Sequence, residues 1–150
     1  MKNVDIRRLN DTDINRFIEL IRLFEIVFEM EDFTTPNTAY LQSLLNKETF
    51  NVFVAQHNNQ IVGGLTTYTL EQYYSTQPLA YIYDLAVDPT FQRKGIGQKL
   101  IEATKSFYKE NGFEEVFVQA DKVDDYALDF YRKTNPTDEE DVSHFYYKLD

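Results

Sequence analysis

The sequence contains no cysteine. Disulfides, thiolate zinc sites and thiol nucleophiles are therefore excluded. No stretch approaches the roughly 18 to 20 consecutive apolar residues of a membrane-spanning helix. The N-terminal MKNVDIRRLNDTD turns polar where a signal peptide would place its apolar segment, so a cytoplasmic protein with no membrane partner is the expectation. Basic residues are the minority: 15 Lys and Arg against 25 Asp and Glu leave a formal net charge of -10. With a pI near 4.6, a nucleic-acid partner is disfavoured, because a phosphate backbone needs a basic surface. An acidic surface either attracts cationic small molecules or only keeps the chain soluble. No repeat, low-complexity tract or linker interrupts the 150 residues, which read as one domain, 1–150.

What is present is a regular alternation of elements. VDIRRL (4–9) alternates like a short strand, and Asp11 is placed to cap an amphipathic helix. That helix carries Ile14, Phe17, Ile18, Ile21, Phe24, Val27 and Phe28 at three-and-four spacing. EMEDFTTPN breaks the pattern and TAYLQSLLN resumes it as a second short helix. TFNVFVAQHNNQIVGGLTTYTLEQY predicts a hairpin turning at 57–59, and AYIYDLAV a dense central strand. From Gly95 a helix presents Ile96, Leu100, Ala103, Thr104 and Phe107 on one face, with Gly112 at its C-terminal end. EEVFVQAD predicts a strand, DDYALDFYRK a short helix and VSHFYYKLD a closing strand. The order β-α-α-β-β-β-α-β-α-β implies a mixed α/β (α+β) single sheet with helices packed on it.

One local reversal of charge stands out. In DLAVDPTFQRKGIGQKL, Arg93, Lys94 and Lys99 surround Gly95 and Gly97 directly after the central strand. The first N–H groups of a helix lack intrahelical acceptors, and the helix dipole adds partial positive charge there. Glycines let an anion approach those groups, and basic side chains add charge-assisted contacts at the edges. A pyrophosphate cradle and an ordinary glycine turn both fit this stretch. A triphosphate P-loop is not supported, because no G-x-x-x-x-G-K-[ST] occurs, and no dinucleotide G-x-G-x-x-G follows the first strand.

QRKGIG, Gln92 to Gly97, resembles the Q/R-x-x-G-x-G/A signature of the GNAT superfamily of acyl-CoA-dependent N-acyltransferases. YDLAVDP precedes it as that family's central strand does, and ALDFYRK lies where the family carries its A-x-x-x-Y-x-K helix. The resemblance covers nearly the whole chain. It narrows with YIYDLAV, with VQAD followed by DD and FYRK, with YLQSLLNKETF and with the late HF. These stretches resemble the aminoglycoside 3-N-acetyltransferases of the gentamicin–fortimicin type.

The resemblance implies a single mixed sheet with a splayed central strand pair, acetyl-CoA as cosubstrate and a small cationic amine as acceptor. Backbone N–H groups around Leu85, Ala86 and Val87 would bind the thioester oxygen. The backbone of Gln92, Arg93, Lys94, Gly95, Ile96, Gly97 and Gln98, with Lys99 beside it, would hold the coenzyme A pyrophosphate. Tyr131 matches the family tyrosine that protonates or hydrogen-bonds the departing thiolate. A helix aromatic packed on the sheet is the structural alternative for it.

Asp84 is an acid within an otherwise apolar strand, where strict alternation groups it with Ile82 and Ala86. Its roles are base, substrate anchor, or partner in a buried structural pair. Asp121, Asp124 and Asp125 suit a helix cap and a polycationic acceptor equally. Glu29, Glu31 and Asp32 fall in the connection that lines the acceptor side in this superfamily. Otherwise they are simply solvated. TDEED (137–141) is expected to be an exposed acidic loop, and His57 and His144 are too far apart in the sequence to suggest a metal site.

Two departures from the family pattern occur. RKTNPTDEED replaces the usual K-x-G-F, with Asn135 in place of a left-handed glycine. Asp124 stands where asparagine is usual ahead of the tyrosine helix. With no cysteine for an acyl-enzyme, direct attack in a ternary complex is the expected route. The rival readings are a polyamine or other metabolite-amine acetyltransferase and a noncatalytic acyl-CoA-binding sensor. A homodimer using HFYYKL as an interface strand is a further expectation of the resemblance.

Overall fold

The computed structural model describes residues 3–150. The chain divides into two compact units, Met1–Gln119 and Ala120–Asp150.

The first unit is a five-stranded sheet in sequential order: β1 (Val4–Arg8), β2 (Phe50–His57), β3 (Gln60–Leu70), β4 (Leu79–Val87) and β5 (Glu115–Val118). All neighbours are antiparallel except β4 and β5, which run parallel. Asn58 and Asn59, both left-handed (φ 49° and 63°), make the two-residue turn between β2 and β3. Helices α1 (Ile14–Val27) and α2 (Thr38–Leu45) pack on one face of the sheet, with Leu20, Phe17 and Leu41 against Phe50, Val52 and Val54. Helix α3 (Ile96–Glu110) has Ile96 beside Gly63 and Phe107 beside Phe53, on the other face. Gly64 is required for close approach: a Cβ there would sit 2.6 Å from Leu20 Cδ1 and 2.8 Å from the Phe53 carbonyl.

Helix α1 begins two residues later than its composition suggests. Asp13, not Asp11, is the N-terminal boundary residue. Its carboxylate turns back to the Arg7 guanidinium (2.9 and 3.1 Å) and accepts the Asn10 N–H (2.8 Å) instead of capping the helix. Asn37 does cap α2, accepting the Tyr40 N–H at 2.8 Å. On α3 the buried stripe is Ile96, Gly97, Leu100, Ile101, Thr104 and Tyr108. Ala103 and Phe107, expected on that stripe, are half-buried at its flank. Gly112 follows the helix with φ 77°, the left-handed position that terminates it.

The second unit contains α4 (Asp125–Arg132), capped by the Asp124 carboxylate on the Ala127 N–H (3.0 Å). Asn135 adopts φ 57° just beyond it, the left-handed role expected of it. In the acidic loop, Glu139 forms a two-pronged pair with Arg132 (2.8 and 3.0 Å). The expected closing strand is absent: residues 142–150 carry no strand among the described residues. VSHFYYKLD has the right alternation, and the His144 and Tyr146 rings approach to 5.9 Å. A strand exists only within a hydrogen-bonded ladder, and no partner strand is described beside this run.

Candidate active site

The register between β3 and β4 contains a break that reorganises the site. Thr66 pairs with Asp84, and Thr67 pairs with Ile82, so Tyr83 is an extra residue on β4. This is a β-bulge, which sends neighbouring side chains to the same side and bends the strand. Paired residues share a face of the sheet. Leu65, Thr67 and their partners Leu85 and Ile82 therefore face α3. Tyr68, Thr66 and Gly64 carry Tyr81, Asp84 and Ala86 to the opposite face. Simple alternation placed Asp84 with Ile82. The bulge moves it to the other side, among tyrosines.

The consequences are electrostatic. Asp84 is half-buried, and burial pushes its carboxyl pKa above the ordinary aspartate value. Tyr68 and Tyr81 are both raised, first by burial and then by electrostatic interaction with their neighbours Tyr83 and Asp84. The Tyr83 ring stands nearly perpendicular to Tyr68 (5.7 Å, 87°) and to Tyr81 (5.8 Å, 88°). Tyr81 also stacks on Phe117 at 4.8 Å. A half-buried acid that binds protons more tightly than usual is suited to accept one from, or to hold, an ammonium group.

The strand splays where the resemblance requires it. Pairing of β4 with β5 ends at Ile82 and Val118, while β4 continues to Val87. Leu85, Ala86 and Val87 thus follow Asp84 along a stretch whose β5 side carries no ladder. The chain then turns through Pro89–Phe91, a 3-10 turn capped by Asp88, which accepts the Thr90 N–H and hydroxyl at 2.9 Å each. Gln92 ties this turn to the strand end, its amide donating to the Val87 carbonyl at 3.0 Å.

Arg93 (φ 62°) and Gly95 (φ 82°) are both left-handed, so the backbone reverses sharply before α3. The first bond inside the helix runs from the Lys99 N–H to the Gly95 carbonyl, at 3.1 Å. The N–H groups of Ile96, Gly97 and Gln98 precede it and need acceptors from outside. A Cβ on Gly95 would meet nothing within 4 Å, so the space beside Gly95 itself is open. Arg93, Lys94 and Lys99 are exposed around it, with the Lys94 ammonium 5.8 Å from the Phe91 ring centre. Buried Ile96 and Leu100 fix the helix start to the sheet. Helix-start N–H groups with basic side chains beside them are features that can bind an anion.

Glu29, Glu31 and Asp32 lie exposed in the α1–α2 connection, with Glu29 (φ 51°) and Asp32 (φ 54°) left-handed. In the second unit, Asp121 accepts the Val123 N–H at 3.2 Å, and Asp124 caps α4. Asp125 occupies the first turn of that helix. Tyr131 is half-buried in its last turn, its ring 4.9 Å from Phe130 and its carbonyl accepting the Thr134 hydroxyl at 2.6 Å. Sequence reasoning missed the Tyr68–Tyr81–Tyr83 cluster and the Gln92 tether. The tyrosine richness of YIYD was visible, but a bulge is defined by the partner strand and leaves no local signal.

Residues 17–135 match the Acetyltransferase (GNAT) family. An aminoglycoside acetyltransferase from an uncultured soil metagenomic sample, solved with sisomicin and with trehalose, is 66% identical to this chain. Its TM-score is 0.98, covering 99% of this chain and 97% of its own. A second aminoglycoside acetyltransferase from an uncultured soil metagenomic sample is 32% identical, with a TM-score of 0.91 over 98% of this chain and 99% of its own. An uncharacterized N-acetyltransferase of Chlorobaculum tepidum is 38% identical over 68 residues. That stretch is 44% of this chain and spans only 39% of that relative's length. With the sheet and the splay in place and the family match spanning most of its length, the chain belongs to the GNAT family and is an acetyl-CoA-dependent N-acetyltransferase.

Proposed function

We propose that this enzyme transfers the acetyl group of acetyl-CoA to a primary amine of an aminoglycoside, by direct attack within a ternary complex. The observation that carries the reading is the 66% identity, over 99% of the chain, to an aminoglycoside acetyltransferase solved with sisomicin. The half-buried Asp84 and the acidity of the whole chain (net charge -10) suit a polycationic acceptor.

In this reading acetyl-CoA lies with its pyrophosphate on the N–H groups of Ile96, Gly97 and Gln98. Gln92, Arg93, Lys94, Gly95 and Lys99 surround it, and the thioester oxygen accepts from the β4 backbone between Leu85 and Val87. Asp84 anchors the acceptor ammonium or takes its proton. The neutral nitrogen attacks the thioester carbon, the C–S bond breaks, and Tyr131 supplies a proton to the departing thiolate. Asp121, Asp124, Asp125, Glu31 and Asp32 contribute negative charge to the remaining ammonium groups of the acceptor. The 3-amino group is the favoured nitrogen, on the sequence resemblance alone. Resistance to aminoglycosides, a cytoplasmic location and a homodimer belong to the same reading.

Coenzyme A thiol release from acetyl-CoA is the test, with gentamicin, sisomicin, spermidine and a lysine peptide as acceptors. Turnover with the two aminoglycosides, and mass and NMR analysis showing acetyl on the 3-nitrogen, is the expected result. A preference for spermidine overturns the acceptor assignment and leaves the enzyme class intact.

A further inference from the structure

The bulge at Tyr83 has a functional reading that packing alone does not supply. Tyr83 is 58% exposed and Tyr68 38%, yet both rings are held in fixed perpendicular pairs. Two near-perpendicular pairs meeting at one ring make an open, aromatic-walled corner, and Asp84 stands beside it on the same face. The rear wall is rigid, because Tyr81 stacks on Phe117 and its hydroxyl donates to Gln119 at 3.3 Å. Aromatic faces attract cations, most strongly where water is partly excluded, and a neighbouring carboxylate adds direct attraction.

We propose that Tyr68, Tyr81 and Tyr83, with Asp84, form an aromatic–carboxylate receptor for the ammonium group of the acceptor. Tyr83, displaced by the bulge, sets affinity for that group. This rests on the reading of the acceptor as a cationic amine. It also gives the bulge a purpose. Without the extra residue, Asp84 would share the face of Ile82 and point away from Tyr68 and Tyr81. The receptor recognises a compact alkylammonium, so tetramethylammonium, which cannot be acetylated, is the probe that isolates it.

Two measurements test the receptor. Saturation-transfer NMR of tetramethylammonium with the wild-type enzyme should show binding that Tyr83→Leu abolishes and Tyr83→Phe retains. In steady-state kinetics with sisomicin, Tyr83→Leu should raise the acceptor KM by about 5- to 30-fold. The KM for acetyl-CoA should stay within twofold, and kcat should fall by much less than the acceptor KM rises. Tyr83→Phe keeps the ring and should restore the acceptor KM to within about twofold of wild type. An unchanged acceptor KM in Tyr83→Leu overturns the receptor, as does a Tyr83→Phe variant as impaired as Tyr83→Leu. Unaltered thermal melting of Tyr83→Leu separates a lost contact from a lost fold. If no aminoglycoside elicits thiol release while tetramethylammonium still binds through Tyr83, the acceptor identity is wrong and the receptor stands. Tetramethylammonium that fails to bind the wild type overturns the receptor whatever the acceptor proves to be.

Discussion

Gly95→Ala and Gly112→Ala form a matched pair at the two ends of α3. Gly95 has φ 82° and Gly112 φ 77°, and at both positions an added Cβ meets nothing within 4 Å. Steric crowding within the protein is therefore absent from both variants, and only the left-handed backbone remains. An L-residue there costs about 1–2 kcal/mol, offset in part by roughly 0.4–1 kcal/mol of reduced unfolded-chain entropy. Each variant should lose about 1 kcal/mol, and a melting temperature lower by about 2–4 °C for a chain of this size. Their effects on the cosubstrate should diverge. Gly95 directly precedes Ile96, Gly97 and Gln98 in the chain, where the pyrophosphate is proposed to sit, and the new methyl is expected to obstruct it. Losing one charge-assisted hydrogen bond there, about 1.5–3 kcal/mol, raises the acetyl-CoA KM by roughly 10- to 150-fold. Calorimetric melting and acetyl-CoA titration of both variants are the assay. Should Gly95→Ala bind acetyl-CoA as well as Gly112→Ala does, the helix start is not the pyrophosphate site.

Three further variants carry expected outcomes. Asp84→Asn should lower kcat by about 10²–10⁴-fold if the carboxyl is the base, whereas an effect confined to the acceptor KM identifies an anchor. The same variant reports on stability. Burial raises the Asp84 pKa in the folded state, so the folded protein holds a proton that the unfolded chain has released. Stability therefore falls as pH rises from the unfolded value through the folded one, then levels. Urea unfolding of Asp84→Asn should show a gain over wild type that grows across that interval, and a gain that shrinks refutes the sign. Tyr131→Phe should reduce kcat by about 10²-fold or more at unchanged acetyl-CoA affinity. Full turnover in that variant would remove Tyr131 as the acid. Gly64→Ala, whose Cβ would press on Leu20 and the Phe53 carbonyl, should cost about 1–3 kcal/mol in denaturant unfolding. A neutral result there would mean that α1 shifts freely on the sheet.

Much of the architecture was legible because its signals are local. Asn58 and Asn59 turn the hairpin since asparagine tolerates a left-handed backbone, and Asn135 does the same after α4. Gly112 ends α3, and Gly95 opens it, for the same steric reason. The helix boundary at Asp13 was not legible from spacing, because the choice between Asp11 and Asp13 depends on Arg7, which lies on the neighbouring strand. The aromatic C-terminal run shows the limit of periodicity: alternation describes a chain able to pleat, and the ladder partner decides whether it does.

The turn and helix start at QRKGIG were legible because the left-handed glycine, the basic side chains and the first helical residues are adjacent in sequence. The acid at position 84 was equally visible as an anomaly among apolar neighbours. Its surroundings were not. One extra residue against Thr66 and Thr67 turns Asp84 from the α3 face to the tyrosine face. The side on which a strand residue points has period two, and a single unpaired position reverses it for everything that follows. Residue identity therefore came from the chain, while the face that each residue serves was set by a pairing between strands that no local stretch encodes.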